Sequence, residues 1–147
     1  MSMEQLNHLL HKEIPLCEFM QMKLTALTDT SIAAVAPLTP NRNMHQTGFA
    51  GSLYALAVAT GWAMAHHRQA YFDLDGLLVV KDAHMHYKRP VTGDIELKAE
   101  ISDDATAINL KKQLEETGRT TLPLEIWIYS KGKKCALLEA DYMVVPE

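Results

Sequence analysis

Asp82, His84 and His86 alternate along an extended segment, so a carboxylate and two imidazoles share one face while Ala83, Met85 and Tyr87 share the other. Such a face can exchange protons near neutrality or offer ligands to a metal. Zinc sites, however, draw their remaining ligands from a well-spaced motif elsewhere, and none accompanies these residues, so no metal is expected. Solvated side chains on the outer face of a sheet are the plainer reading. His45 can also take up a proton near neutrality, or is simply a surface histidine. Ser52 stands at a helix start, where a hydroxyl commonly caps, and no adjacent base would activate it as a nucleophile. Tyr54 and Thr60 carry hydroxyls that either hold water at a site or are satisfied within a core. Lys88 and Arg89 form a cationic pair beside Pro90. Cys17 and Cys135 make no C-x-x-C spacing and no disulfide framework, and read as reduced core residues.

The elements that must position these groups follow from periodicity. Phe49 to Ala65 carries no charge and no proline. It is shorter than the ~20 residues that span a bilayer and contains Gly51, Ser52, Thr60 and Gly61, so a buried helix is expected. Pro37, Pro40, Asn41, Arg42 and Asn43 make a loop that delivers the chain to it. Upstream, Leu6, Leu9 and Leu10 lie on one face of a short helix over Met3 to Lys12, closed by Pro15. Cys17 to Leu27 and Ser31 to Leu38 are expected to pair as a hairpin around Thr28-Asp29-Thr30. Downstream, Gly76 to Tyr87, Asp94 to Ser102, Leu122 to Ser130 and Cys135 to Val145 read as strands, the last two joined at Lys131-Gly132-Lys133. Between the middle pair, Asp103 to Thr117 reads as a surface helix capped by Asp103 or Asp104, with Ile108, Leu110 and Leu114 on its apolar side. A greasy helix among hairpin-linked strands argues an α+β fold with the helix on the concave face of an antiparallel sheet.

At 147 residues, with 48% hydrophobic and 22% charged content, one core and one domain over residues 1–147 suffice. A formal net charge of -4 gives no broad electrostatic reason to bind nucleic acid. The opening MSMEQLNHLLHKE lacks the basic start and apolar run of a secretory signal, so a cytoplasmic protein without membrane attachment is expected.

Two stretches carry a family likeness: Asn43 to Leu56, NMHQTGFAGSLYAL, and Tyr87 to Leu97, YKRPVTGDIEL. They resemble the hotdog-fold thioesterases, in which an Asn or His precedes a Gly-rich helix start and a later strand ends in a Y-x-R-P-x-x-G-D corner. With GFAGSLYALAVATGW and EETGRTTLPLEI, nearly the whole chain looks like the thioesterase module found alone or fused behind GNAT-type acetyltransferases. Acetyl transfer by this chain is not expected, since an acetyltransferase domain would add roughly 100 residues or more.

The resemblance implies a hotdog fold and hydrolysis of an acyl-CoA or acyl-carrier-protein thioester without a cofactor. It implies that backbone N–H groups around Gly51 and Ser52 face the thioester oxygen, as suits the unpaired, partially positive amides of a helix start. Asn43 matches the family's loop asparagine and would orient water or the carbonyl, unless it only makes turn bonds. The family's water-activating carboxylate, seven residues after the second glycine, falls on Val58. Relatives form homodimers, or dimers of dimers, through the Gly76 to Tyr87 strand, which would bring Asp82 or His84 near the partner's helix start. Lys88 and Arg89 would then meet the coenzyme's phosphates. A non-catalytic acyl-thioester-binding module working with an acetyltransferase is the alternative. A dehydratase or hydratase using His45 with a partner's Asp82 is a third.

Overall fold

The computed structural model describes residues 1–101 and 112–147. Helices α1 (Met3–Glu13) and α2 (Pro15–Phe19) precede the hairpin β1 (Lys23–Leu27) and β2 (Ser31–Ala36). A 3-10 turn, Thr39–Asn41, leads to α3 (Ala50–Tyr71). The strands β3 (Leu77–Tyr87), β4 (Ile95–Glu100), β5 (Thr120–Ser130) and β6 (Lys133–Val145) complete the fold. The six strands form one sheet in the order β1-β2-β4-β5-β6-β3, every neighbouring pair antiparallel. It wraps around α3, which packs on β2, β3, β4, β5 and β6.

Period-two alternation makes this arrangement. On β4 the residues Ile95, Leu97 and Ala99 are buried while Glu96, Lys98 and Glu100 are exposed, and β5 repeats the pattern with Leu122, Leu124, Ile126 and Ile128 inside. These residues meet Leu53, Leu56, Ala57, Ala63 and Met64 of α3 in one core. The small residues of α3 let the sheet approach closely. At Gly61 the ring of Tyr142 lies where a side chain would begin, and its hydroxyl donates to the Val58 carbonyl at 2.8 Å. Lys131 and Gly132, with φ of 51° and 75°, make the tight turn between β5 and β6 that the sequence called for.

Three expectations need correction. Pro15 does not simply end the first helix: it occupies the first turn of α2, where its missing N–H costs nothing. Cys17 therefore belongs to a helix, and the strand expected from Cys17 begins only at Lys23, after Gln21 turns the chain with φ of 57°. The central helix also continues past Ala65, through His66, His67, Arg68 and Gln69, to Tyr71. Its polar end is anchored. Arg68 donates to the Asp29 carbonyl and lies 4.5 Å from the Phe72 ring centroid, His67 is 3.7 Å from the Asp29 carboxylate, and Gln69 reaches the Leu74 and Gly76 carbonyls at 3.1 and 3.0 Å. A cation in the last turn also suits the helix dipole.

Of the surface helix expected over Asp103 to Thr117, residues 112–117 are helical, and the part that includes Asp103, Asp104, Ile108 and Leu110 lies outside the described residues. Both cysteines are free and buried, and burial pushes the Cys17 thiol up to about 11. Among the described residues, no helix is long and apolar enough to cross a membrane.

Candidate active site

The loop leading into α3 is organised by Asn43. Its Oδ1 accepts the backbone N–H groups of His45 (2.8 Å) and Thr47 (3.2 Å), and its Nδ2 donates to the Thr47 hydroxyl at 2.9 Å. This is the self-bonded turn that a short amide side chain favours. His45 sits exposed within that loop, with Gln46 in the left-handed region at φ of 62°. Below it, Asn41 is fully buried and donates to the Met20 and Pro37 carbonyls, tying the loop to α2.

The first turn of α3 then starts without a side-chain cap, so its leading amides keep their donor capacity. Ala50 and Gly51 are exposed, and Ser52 is half-buried and makes no capping bond. The Phe49 ring lies against Gly51, 2.6 Å from where a β-carbon would stand. Two hydrogen bonds then join the stretches that carried the resemblance. The Gly48 N–H donates to the Val91 carbonyl at 2.8 Å, and the Tyr87 hydroxyl donates to the Ala50 carbonyl at 2.8 Å. Sequence reasoning passed over Tyr87. Its place beside Ala83 and Met85 on the helix-facing side of β3 was the available signal.

Tyr54, one turn further on, lies near two other phenols. Burial first, and the Tyr54 ring second, raise the pKa of both Tyr87 and Tyr142, so these hydroxyls remain proton donors. Tyr54, Val58, Trp62 and His66 then follow at four-residue intervals along one partly open side of α3. The Trp62 and His66 rings stack at 5.0 Å with planes 16° apart. Burial, and then the neighbouring His67, lower the His66 pKa, so this side is uncharged at neutral pH. Thr60 is elsewhere: fully buried, it donates to the Leu56 carbonyl at 2.8 Å.

The remaining sequence candidates occupy the other face of the sheet. A bulge between Val80 and Asp82 resets the alternation of β3, so Asp82 and His84 lie opposite Asp141 and Glu139 on the side turned away from α3. There they line a groove of about 660 Å³ with Glu100, Glu125, Glu139 and Asp141. His86 meets the Glu139 carboxylate at 2.7 Å. Within one chain, Asp82 is not brought to His45. Lys88 also turns outward, its ammonium 5.4 Å from the Trp127 ring centroid, while Arg89 is exposed. Among the described residues, no group of three or more His, Cys, Asp or Glu is arranged to hold a metal.

The family model described as putative thioesterase (yiiD_Cterm) matches residues 3–146. Among solved structures, a putative thioesterase from Shewanella oneidensis is 37% identical, over 98% of this chain and 97% of that one, with a TM-score of 0.86. A protein of unknown function from Chlorobaculum tepidum is 25% identical over 98% of this chain and 94% of that one, at a TM-score of 0.91. A probable thioesterase from Pseudomonas aeruginosa shares the fold at 22% identity and a TM-score of 0.83, over 100% and 97% of the two chains. The architecture shared with these neighbours is the hotdog fold, in the α+β class.

Proposed function

The chain belongs to the putative thioesterase (yiiD_Cterm) family, and from that premise we propose that it hydrolyses an acyl-CoA or acyl-carrier-protein thioester at the start of α3. Water adds to the carbonyl carbon, the carbon–sulfur bond breaks, and a carboxylic acid and a free thiol leave. The observation that carries this reading is the uncapped first turn of α3, whose amides start at the exposed Ala50 and Gly51 beside the Phe49 ring. Backbone donors of this kind stabilise the oxyanion as it forms, without a charged side chain. Asn43 shapes the loop beside that turn, and His45, exposed in the same loop, is our choice for the group that takes the proton from water. Arg89 is the better placed of the two neighbouring cations to meet phosphate, because Lys88 is engaged with Trp127.

The working unit in this reading is a cytoplasmic homodimer formed through β3. Among the described residues that strand has an open edge, and it exposes Leu77, Val79 and Val80. A copy paired edge to edge in the same sheet would leave Asp82 and His84 on the outer face, so neither enters the proposed chemistry.

Thiol release measured across acyl-CoA lengths tests the reading. The wild type should release thiol, and Gly51→Ala should lower the rate by about tenfold or more by pushing the exposed Phe49 ring aside and placing a methyl group beside the amides, with stability changed by no more than ~1 kcal/mol. Asn43→Ala should also abolish release, through loss of the loop. Tight acyl-CoA binding with no release above background would instead favour a ligand-presenting module partnered with an acetyltransferase. Val58, standing where relatives carry a carboxylate, is the residue that favours this second reading.

A further inference from the structure

The open side of α3 has an internal boundary. From Gly51 to Trp62 the helix advances ~16 Å, at about 1.5 Å per residue. Helical side chains lean toward the N-terminus, so the indole takes part of that length. Between the two lie Tyr54, Ala55 and Val58, all partly exposed and none charged. Beyond the indole an open surface hollow of about 370 Å³ is lined by Trp62 and His66 together with Ala70, Leu74, Leu77 and Leu78, with Asp73 and Gln69 at its polar edge. The stacked Trp62–His66 pair therefore stands between the uncharged strip that begins at the amides and this hollow, which both rings line.

We propose that Trp62 is the specificity-determining residue that fixes acyl-chain length: the strip from Gly51 to Val58 takes short and medium chains, and the indole bars longer ones from the hollow behind it. This rests on the thioesterase reading above. The occupant is an acyl chain rather than protein because the strip is continuous with the amide-rich helix start and its own side chains carry no charge, the Tyr54 phenol being the polar group at its near end. Leu74, Leu77 and Leu78 make the space beyond hospitable to methylene groups once the indole is gone, each buried methylene being worth ~0.8 kcal/mol.

The test compares acetyl-, butyryl-, octanoyl- and palmitoyl-coenzyme A. For the wild type, kcat/KM for palmitoyl should fall about tenfold or more below that for octanoyl, and Trp62→Ala should bring the two within about threefold. Trp62→Leu, which keeps an apolar side chain against His66, covers the case in which the alanine variant does not fold. Emission of the Trp127→Phe chain, in which Trp62 is the one remaining tryptophan of two, reads occupancy without turnover. It should change with octanoyl-coenzyme A.

Equal chain-length profiles in the wild type and both variants would overturn the role of Trp62 while leaving hydrolysis standing. No release by any form, with emission responding to octanoyl-coenzyme A and not to palmitoyl-coenzyme A, would remove hydrolysis and keep the boundary. Silence in both would overturn both. Emission that follows protein concentration and ignores acyl-coenzyme A would assign the strip to a second copy of the chain and overturn the proposal.

Discussion

A methyl group on Gly61 would stand 2.1 Å from the Tyr142 hydroxyl oxygen, a separation no real contact tolerates, so the ring must retreat and its bond to the Val58 carbonyl must break. Gly61→Ala is expected to cost about 2 kcal/mol in urea unfolding, in the range of overpacked cores, whereas Tyr142→Phe alone should cost ~1 kcal/mol. Combining them should recover part of the loss, because the phenylalanine lacks the oxygen that collides; strict additivity would contradict the contact. At this scale the sequence was legible where chemistry is local. Asn43 makes the turn bonds its type and neighbours suggest, and the glycine between Lys131 and Lys133 turns the chain. It was not legible where a role depends on a partner far along the chain. Nothing near Tyr142 announces Gly61, and nothing near Tyr87 announces the Ala50 carbonyl.

At the level of elements, the C-terminal half of α3 carries the strongest consequence for pH. Burial holds both His66 and His67 below the ordinary imidazole value of 6.5, although the Asp29 carboxylate partly opposes this for His67. The unfolded chain therefore binds protons that the folded chain declines, and stability falls as pH drops below 6.5, levelling off beneath the folded values. Melting curves from about pH 8 down to about pH 5 should show this decline, and His66→Gln should flatten it; an unchanged slope would show that His66 contributes nothing. The same half-helix explains why the expected helix stopped short. His66-His67-Arg68-Gln69 reads as a solvated end, but the Asp29 carbonyl that receives Arg68 belongs to the distant β1–β2 turn. The strands were easier to read, since alternation on β4 and β5 records burial directly. Cys17 to Phe19 was misread because so short a segment cannot distinguish one helical turn from loose alternation.

For the molecule as a whole, β3 is decisive. Among the described residues it is an 11-residue edge strand that exposes Leu77 (51%), Val79 (40%) and Val80 (39%), a surface that invites a second strand. Sedimentation should find wild-type dimers, and replacing Leu77 and Val79 together by lysine should yield monomers with reduced thiol release; a monomeric wild type would remove the shared interface. The strand order carries one more consequence, which concerns synthesis. β3 takes its intrachain partners from β6, residues Ala136 to Val145, so during translation it must wait for β6 to leave the ribosome. Until then Leu77 to Val80 stays bare on the nascent polypeptide while β1 and β2 can already pair, and a chain stalled before β6 would display a sticky ribbon beside a half-covered greasy rod.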